Sequence, residues 1–327
     1  MPKLRIAENT VDFACGETVL DALEGAGIHV PNSCRTGVCQ SCLMQACSGD
    51  VPDEAQSGIS SAKRELGYFL ACVCRPTSDL EVAHLGESEA ITATLTAIRR
   101  CPGDVLEVRL RTTTPLDYRG GQFVTLLRED GLARPYSLAS VRGADELELH
   151  VRHYPGGAMS GWLATAPVGA TIEVRGPLGE CFYVADDLDR PLLLVGTGTG
   201  LAPLYGILRE ALGAGHRGPI TLLHGARRAS DLYHREELAR LAAEHENLEV
   251  IASALSVEDA DDVLATPIDT LAIKHANKLA STPARIYLCG APELVNGLRR
   301  RLFIAGIPLR SILADAFLPA APAKPAT

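Results

Sequence analysis

Apolar and polar positions follow three different rhythms along the 327 residues. Near the start, LRIAE and VDFAC alternate as strands do, TVLDALEGAG takes helical spacing and ends on glycine, and LEVAHL follows as a closing strand. From residue 91 to about 187 the pattern is strand after strand, in ITATLTAIRR, DVLEVRLRT, GQFVTLL, RPYSLAS, ELELHVRHY and TIEVRG. Glycines and prolines separate these runs, which predicts an antiparallel barrel or sandwich interrupted by one helix, AMSGWLATA. From about 188 the apolar strands PLLLVG, PITLLHGA, LEVIAS and RIYLCG alternate with helical stretches such as APLYGILREALGAG and ELVNGLRRRLFIAG, the signature of a parallel sheet with crossover helices. The pattern predicts three domains, at 1–86, 91–187 and 188–320, with GESEA as a linker and APAKPAT as a disordered tail.

Composition narrows the class. Hydrophobic residues make up 46% of the chain, yet no apolar run approaches the roughly 18 residues of a membrane span. The opening MPKLRIAENTVDF lacks the charged and apolar blocks of a signal peptide, so a cytoplasmic protein is expected. Net charge is −9, with −5 in residues 1–86, −4 in 87–187 and none beyond. An acidic chain repels phosphate backbones, which argues against nucleic acid as a partner.

Cysteine supplies the first chemistry. Six of the ten cysteines (Cys34, Cys39, Cys42, Cys47, Cys72 and Cys74) lie within 41 positions, and a reducing compartment favours metal binding over disulfides for such a cluster. In PNSCRTGVCQSC the gaps are four and two residues, and 29 more separate Cys42 from Cys72. That is the plant-type spacing for a 2Fe-2S cluster, and it fits zinc poorly, because structural zinc usually takes two close pairs. Gly37 lets the loop bring backbone N–H groups near sulfur. Cys74 competes with Cys72 as the fourth ligand, while Cys15 and Cys47 read as small buried apolar residues.

Three further motifs suit planar, phosphate-bearing ligands. In RPYSLAS, Arg134 and Tyr136 share a strand face and Ser137 lies on the other. HYPGGAMSGWL puts Gly157, Ala158, Met159 and Ser160 at a helix start, where N–H groups attract phosphate. In LLLVGTGTGLAPL, Gly196, Gly198 and Gly200 open a strand-to-helix turn to a pyrophosphate, although Leu201 replaces the third glycine of the usual dinucleotide fingerprint. Read alone, RPYS fits an edge strand, Gly-Gly a turn, Cys289 a core thiol and Phe317 a core ring.

The first segment, through GETVLDAL, CRTGVCQSC and LAC, resembles a plant-type ferredoxin, which implies Cys34, Cys39, Cys42 and Cys72 as the cluster ligands. RPYS and GAMS resemble the flavin domain of the ferredoxin-NADP reductase superfamily, and GTGTGLAP with LCGAP its nicotinamide domain. The resemblance implies FAD with Tyr136 against its ring and Ser137 near its reactive nitrogen. Arg134 and Gly157 to Ser160 would then hold its pyrophosphate, and His150, Val151 and Arg152 would line it. It also implies Thr199, Cys289 and Gly290 beside the nicotinamide, with Phe317 over the flavin face. The fold class implied is multi-domain α+β and α/β: a β-grasp ferredoxin domain, a β-barrel flavin domain and a parallel-sheet nicotinamide-binding domain.

In this order the three domains resemble the reductase components of bacterial aromatic-ring-hydroxylating dioxygenases, closest to the naphthalene-dioxygenase type. The function implied is electron transfer from NADH through FAD and a 2Fe-2S cluster to a ferredoxin or a terminal oxygenase. Arg227 and Arg228 in HGARRASDLY are placed to meet a 2′-phosphate, which leaves NADPH open as a coenzyme. Alternative readings deliver the electrons to a diiron monooxygenase or a deoxysugar dehydratase, or make the chain a redox or iron sensor. Neither a Ser-His-Asp arrangement nor HExxH is present, as expected where cofactors carry the chemistry.

Overall fold

The computed structural model describes residues 2–30, 32, 35–37, 42–83, 90–258, 260–279 and 282–317. Cys34, Cys39, most of the linker candidate GESEA and the tail APAKPAT lie outside the described residues. The chain divides into a unit of residues 1–88 and a unit of residues 89–327.

The first unit runs β1 (Lys3–Ile6), β2 (Asn9–Asp12), α1 (Val19–Gly25), β3 (Leu43–Ser48), α2 (Ser61–Glu65), β4 (Tyr68–Leu70) and β5 (Leu80–Ala83). Its sheet has the order β2-β1-β5-β3-β4, so the last strand in sequence lies in the middle, parallel to β1 and antiparallel to β3. Thr18 starts α1 by accepting the Asp21 N–H at 3.1 Å, a side-chain N-cap. Val19, Leu20 and Leu23 then face the same core as Leu4, Ile6, Met44 and Phe69, which makes a β-grasp. Cys15 and Cys47 are exposed, not buried as expected from sequence. Pairing of β3 with β5 shifts register between Ala46 and Ser48, so Cys47 sits at an irregularity that turns it outward, and Cys15 lies in the turn before α1.

The second unit begins with β6 (Ile91–Cys101), β7 (Val105–Thr112), β8 (Phe123–Leu127), β9 (Ala133–Ser137), β10 (Leu147–Arg152), α3 (Ala158–Thr165) and β11 (Thr171–Leu178). The antiparallel order is β10-β7-β6-β11-β8-β9, and a bridge from Leu138 to Leu149 joins its two edges and closes the barrel. Alternation along β7 and β10 sends Leu106, Val108, Leu110, Leu147, Leu149 and Val151 inward.

Then come β12 (Leu192–Thr197), α4 (Leu201–Gly213), β13 (Ile220–Arg228), α5 (Arg235–Glu244), β14 (Leu248–Ser256), α6 (Ile268–Leu279), β15 (Arg285–Gly290), α7 (Pro292–Ile304) and β16 (Ile312–Ala316). All five strands are parallel in the order β14-β13-β12-β15-β16. Strand order therefore reverses between β12 and β15, and ligands of such sheets bind at that switch point. Helix α4 joins the lobe to the barrel. The Glu210 Oε1 accepts the N–H groups of Gly120 at 2.6 Å and Arg142 at 2.9 Å, and a Cβ on Gly206 would lie 2.7 Å from the Leu138 carbonyl. Among the described residues no helix is long and apolar enough to cross a membrane.

Candidate functional site

In the first unit the cysteine loop closes onto the segment that follows β4. The Ala71 N–H donates to the Cys42 carbonyl at 3.0 Å, and both Cys42 and Cys72 are buried. Gly37 has φ +77°, and a Cβ there would stand 3.3 Å from Val73, beside Cys72. Arg35 ties the loop to α1 through Asp21 at 3.2 Å and Glu24 at 2.5 Å. Two buried thiols on segments held together fit a thiolate-ligated cluster; Cys34 and Cys39, the other two expected ligands, lie outside the described residues. Cys74 is fully buried in the core, and burial pushes its thiol up to about 12, so it sits as an apolar filler.

On the barrel, Arg134 and Tyr136 are half-buried on β9 and burial pushes the Tyr136 phenol up to about 12. Helix α3 starts at Ala158 behind Gly157 with no side chain capping it. Its first N–H groups thus point at whatever lies beyond, which suits a pyrophosphate. The Ser160 Oγ accepts the Tyr154 N–H at 3.2 Å and so shapes this turn, while Val151 and Met159 send their side chains into the barrel core. His150 is buried and bonds to Tyr233 and Glu148, at the boundary with the parallel-sheet lobe. Arg152 is half-buried.

At the switch point Gly196 of β12 stands in register with Cys289 of β15. A Cβ on Gly200 would lie 2.3 Å from the Cys289 carbonyl, so only glycine lets the turn pass the strand end there. Gly198 has φ +53° and open space where a Cβ would be, and Thr199 is half-buried beside it. This turn, followed directly by α4, fits a dinucleotide pyrophosphate. Burial, with Cys181 3.6 Å away, holds the Cys289 thiol well above its ordinary range. Phe317 follows β16, and its N–H donates to the Gly290 carbonyl at 2.9 Å, which fixes it beside the same strand end. Arg227 is exposed, and Arg228 is held by Asp231 through hydrogen bonds of 2.9 and 3.3 Å.

One contact unites barrel and lobe at this point. The Ser137 Oγ on β9 donates to Asp315 Oδ2 on β16 at 3.0 Å. Asp315 lies within the ADAF stretch, but nothing in its spacing assigned it a role. Its partner is 178 positions away, and only the fold brings them together.

Comparison with known proteins gives the same division. Residues 4–77 match the family model described as a 2Fe-2S iron-sulfur cluster binding domain, 92–183 an oxidoreductase FAD-binding domain, and 194–300 an oxidoreductase NAD-binding domain. The reductase component, ferredoxin–NAD(P)+, of the naphthalene 1,2-dioxygenase system of Pseudomonas putida is 33% identical over 317 residues, 94% of this chain and 96% of that protein. The reductase subunit of an aromatic O-demethylase from Amycolatopsis is 38% identical over 250 residues, covering 72% of this chain and 75% of its own. Among solved structures, an Amycolatopsis cytochrome P450 reductase superposes with a TM-score of 0.67 at 32% identity, covering 98% of this chain and all of its own. The chain is thus an oxidoreductase with iron-sulfur, flavin and nicotinamide domains, and it belongs to the family of reductase components that includes that of the naphthalene 1,2-dioxygenase system.

Proposed function

We propose that this chain takes electrons in pairs from NADH and delivers them singly to a ferredoxin or directly to the oxygenase of an aromatic-ring-hydroxylating system, in the cytoplasm. Three domains, at 1–86, 91–187 and 188–320, divide the task. The observation that carries the reading is the meeting of Ser137, Asp315 and Cys289 at the switch point of the parallel sheet, where barrel and lobe touch. When bound, FAD supplies the exchange between two-electron and one-electron transfer, and a 2Fe-2S cluster a one-electron relay.

The chain's own residues position and shield. Tyr136 and Arg134 offer a ring face and a cation on one strand, and the α3 turn offers N–H groups to phosphate. Gly196 to Gly200 admit the nucleotide's pyrophosphate. Cys289 and Thr199 would flank a bound nicotinamide, and Phe317 would cover the flavin face. Ser137, its hydroxyl held by Asp315, would stand near the reactive nitrogen of a bound flavin. The Asp231 carboxylate already occupies Arg228, which supports NADH over NADPH, because a 2′-phosphate would have to compete with that pair.

A second reading of the partner rests on the 32% identity to the Amycolatopsis cytochrome P450 reductase, which makes a P450-type oxygenase an alternative acceptor. The deciding test for the main reading is a visible spectrum of the purified protein under anaerobic conditions. Flavin bands and broader cluster absorption should both bleach on adding NADH, and a protein without flavin bands, or unaltered by NADH, overturns the reading. Turnover with purified acceptor proteins then identifies the partner.

A further inference from the structure

A buried polar network crosses from the barrel into the parallel-sheet lobe, away from the residues assigned to cofactors except for His150. On the barrel side stand Glu107 of β7 with Glu148 and His150 of β10, all buried. On the lobe side stand Tyr205 and Arg209 of α4, His224 of β13, Tyr233 and His234 before α5, and Glu237 of α5. His150 is the link: its Nε2 lies 3.1 Å from Glu148 Oε1 and its Nδ1 3.0 Å from the Tyr233 hydroxyl. The hydrogen-bond pattern assigns the tautomer, with Nε2–H donating to the carboxylate and the Tyr233 O–H donating to Nδ1.

Glu148 is also reached from both sides. Arg209 of the lobe donates to its Oε2 at 3.1 Å, and Arg109 of the barrel stands 3.5 Å away. Glu107 accepts from Arg99 and from Arg109 at 3.0 Å, and lies 3.4 Å from His234 Nε2. His234 stacks on His150 with ring centroids 4.8 Å apart. From Tyr233 the path continues to the ring of His224 at 5.5 Å, edge to face, and His224 lies beside the backbone of Gly198. Strand β10 itself runs against the Gly198–Gly200 turn.

Ligand atoms of Glu107, Glu148, His150 and His234 all lie within 4.8 Å of one another, and two imidazoles with two carboxylates suit a divalent cation by donor type. Charge decides against it. Arg99, Arg109 and Arg209 already pair with both carboxylates, so an added cation would enter a site whose negative charge is spent. What the arrangement does instead is tie a flavin-domain strand to the nucleotide lobe by directional bonds from Tyr233 to His150 and from Arg209 to Glu148, and to the glycine turn by packing, through the His224 ring and the run of β10 against it.

We propose that Tyr233 and Glu148, acting through His150, are positioning residues for hydride transfer: they fix the glycine turn against the barrel and so set the nicotinamide's alignment with the flavin. The inference rests on the proposed NADH-to-FAD reading. Hydride transfer is steeply sensitive to such alignment, and a displacement of about 1 Å can cost roughly a hundredfold in rate.

Tyr233→Phe removes the donor to His150 Nδ1, and Glu148→Met removes the acceptor of its Nε2–H, each with little change of shape. In anaerobic stopped-flow with saturating NADH, the rate constant of flavin bleaching should fall at least tenfold in each variant. The NADH concentration at half-saturation should change less than threefold, and the flavin and cluster spectra should not change. The double variant should fall no further than the weaker single variant, because both break one path. Unchanged rates, a change confined to half-saturation, or strictly additive losses overturn the proposal. Loss of flavin or of fold in both variants would make the network purely structural and overturn it equally. Wild-type flavin that NADH does not bleach at all would instead sink the underlying functional reading.

Discussion

The Ser137 hydroxyl donates to Asp315 at 3.0 Å, and with that bond the barrel and the last strand of the parallel sheet meet where the two nucleotide cofactors are proposed to meet. Burial raises the Asp315 carboxyl above its ordinary value, and the Ser137 bond only partly offsets this. A folded-state value above the unfolded one means that the associated stability is present at low pH and is lost as pH rises through the raised value. Asp315 therefore contributes less to stability at neutral pH than at low pH. Asp315→Asn should melt at the same temperature as wild type or higher at pH 7, while NADH-driven flavin reduction falls about tenfold. A clear drop in melting temperature, or full activity, contradicts this role.

Glu107 shows the opposite sign. The His234 imidazole 3.4 Å away, with the bonds from Arg99 and Arg109, holds its carboxyl well below the usual range. The stability it contributes is present above about pH 4.5 and drains away as pH falls below that value. Glu107→Gln should lose about 1–3 kcal/mol at pH 7, below the range for a broken fully buried pair, because both arginines keep much of their length in water. Denaturant unfolding followed from pH 7 to pH 3 should show a flatter acid limb in the variant.

Cys72 and Cys74 stand two positions apart and should behave differently. Cys74→Ala should keep the visible iron-sulfur absorption and cost about 1 kcal/mol for the small buried volume removed. Cys72→Ser should abolish or markedly shift that absorption. Equal loss in both variants would mean that the ligand has been misassigned.

Gly206 meets Gly120 where α4 crosses the barrel, and a methyl at Gly206 would stand 2.7 Å from the Leu138 carbonyl and 2.9 Å from the Gly121 nitrogen. Backbone atoms cannot retreat as side chains do. Gly206→Ala should cost about 1–3 kcal/mol in thermal unfolding, and an unchanged melting temperature would show that the seam is looser than its distances imply.

What could be read in advance was what local order dictates. Alternation in ITATLTAIRR and the apolar blocks PLLLVG and RIYLCG fixed β6, β12 and β15, and the cysteine gaps stated a metal before any fold was known. Helix α6, over IDTLAIKHANKL, escaped notice because it carries neither a clear cap nor a terminal glycine, and β3 because LMQACS has no clean alternation. The site's second half was hidden for a different reason. Asp315 finds Ser137, Glu210 finds Gly120 and Tyr233 finds His150 across 83 to 178 positions, and such pairings leave no mark on any neighbourhood of sequence. The ring of His150, a flavin neighbour by resemblance, lies among Glu148, Tyr233 and His234.

Cys289 sits at the strand end beside the glycine turn, sealed from solvent and facing Cys181 at 3.6 Å. Reduced flavins that meet oxygen release peroxide, and peroxide attacks thiolates far faster than thiols. A thiol kept protonated by burial is a poor target for that by-product. The same burial that packs Cys289 against the turn therefore gives it oxidative durability.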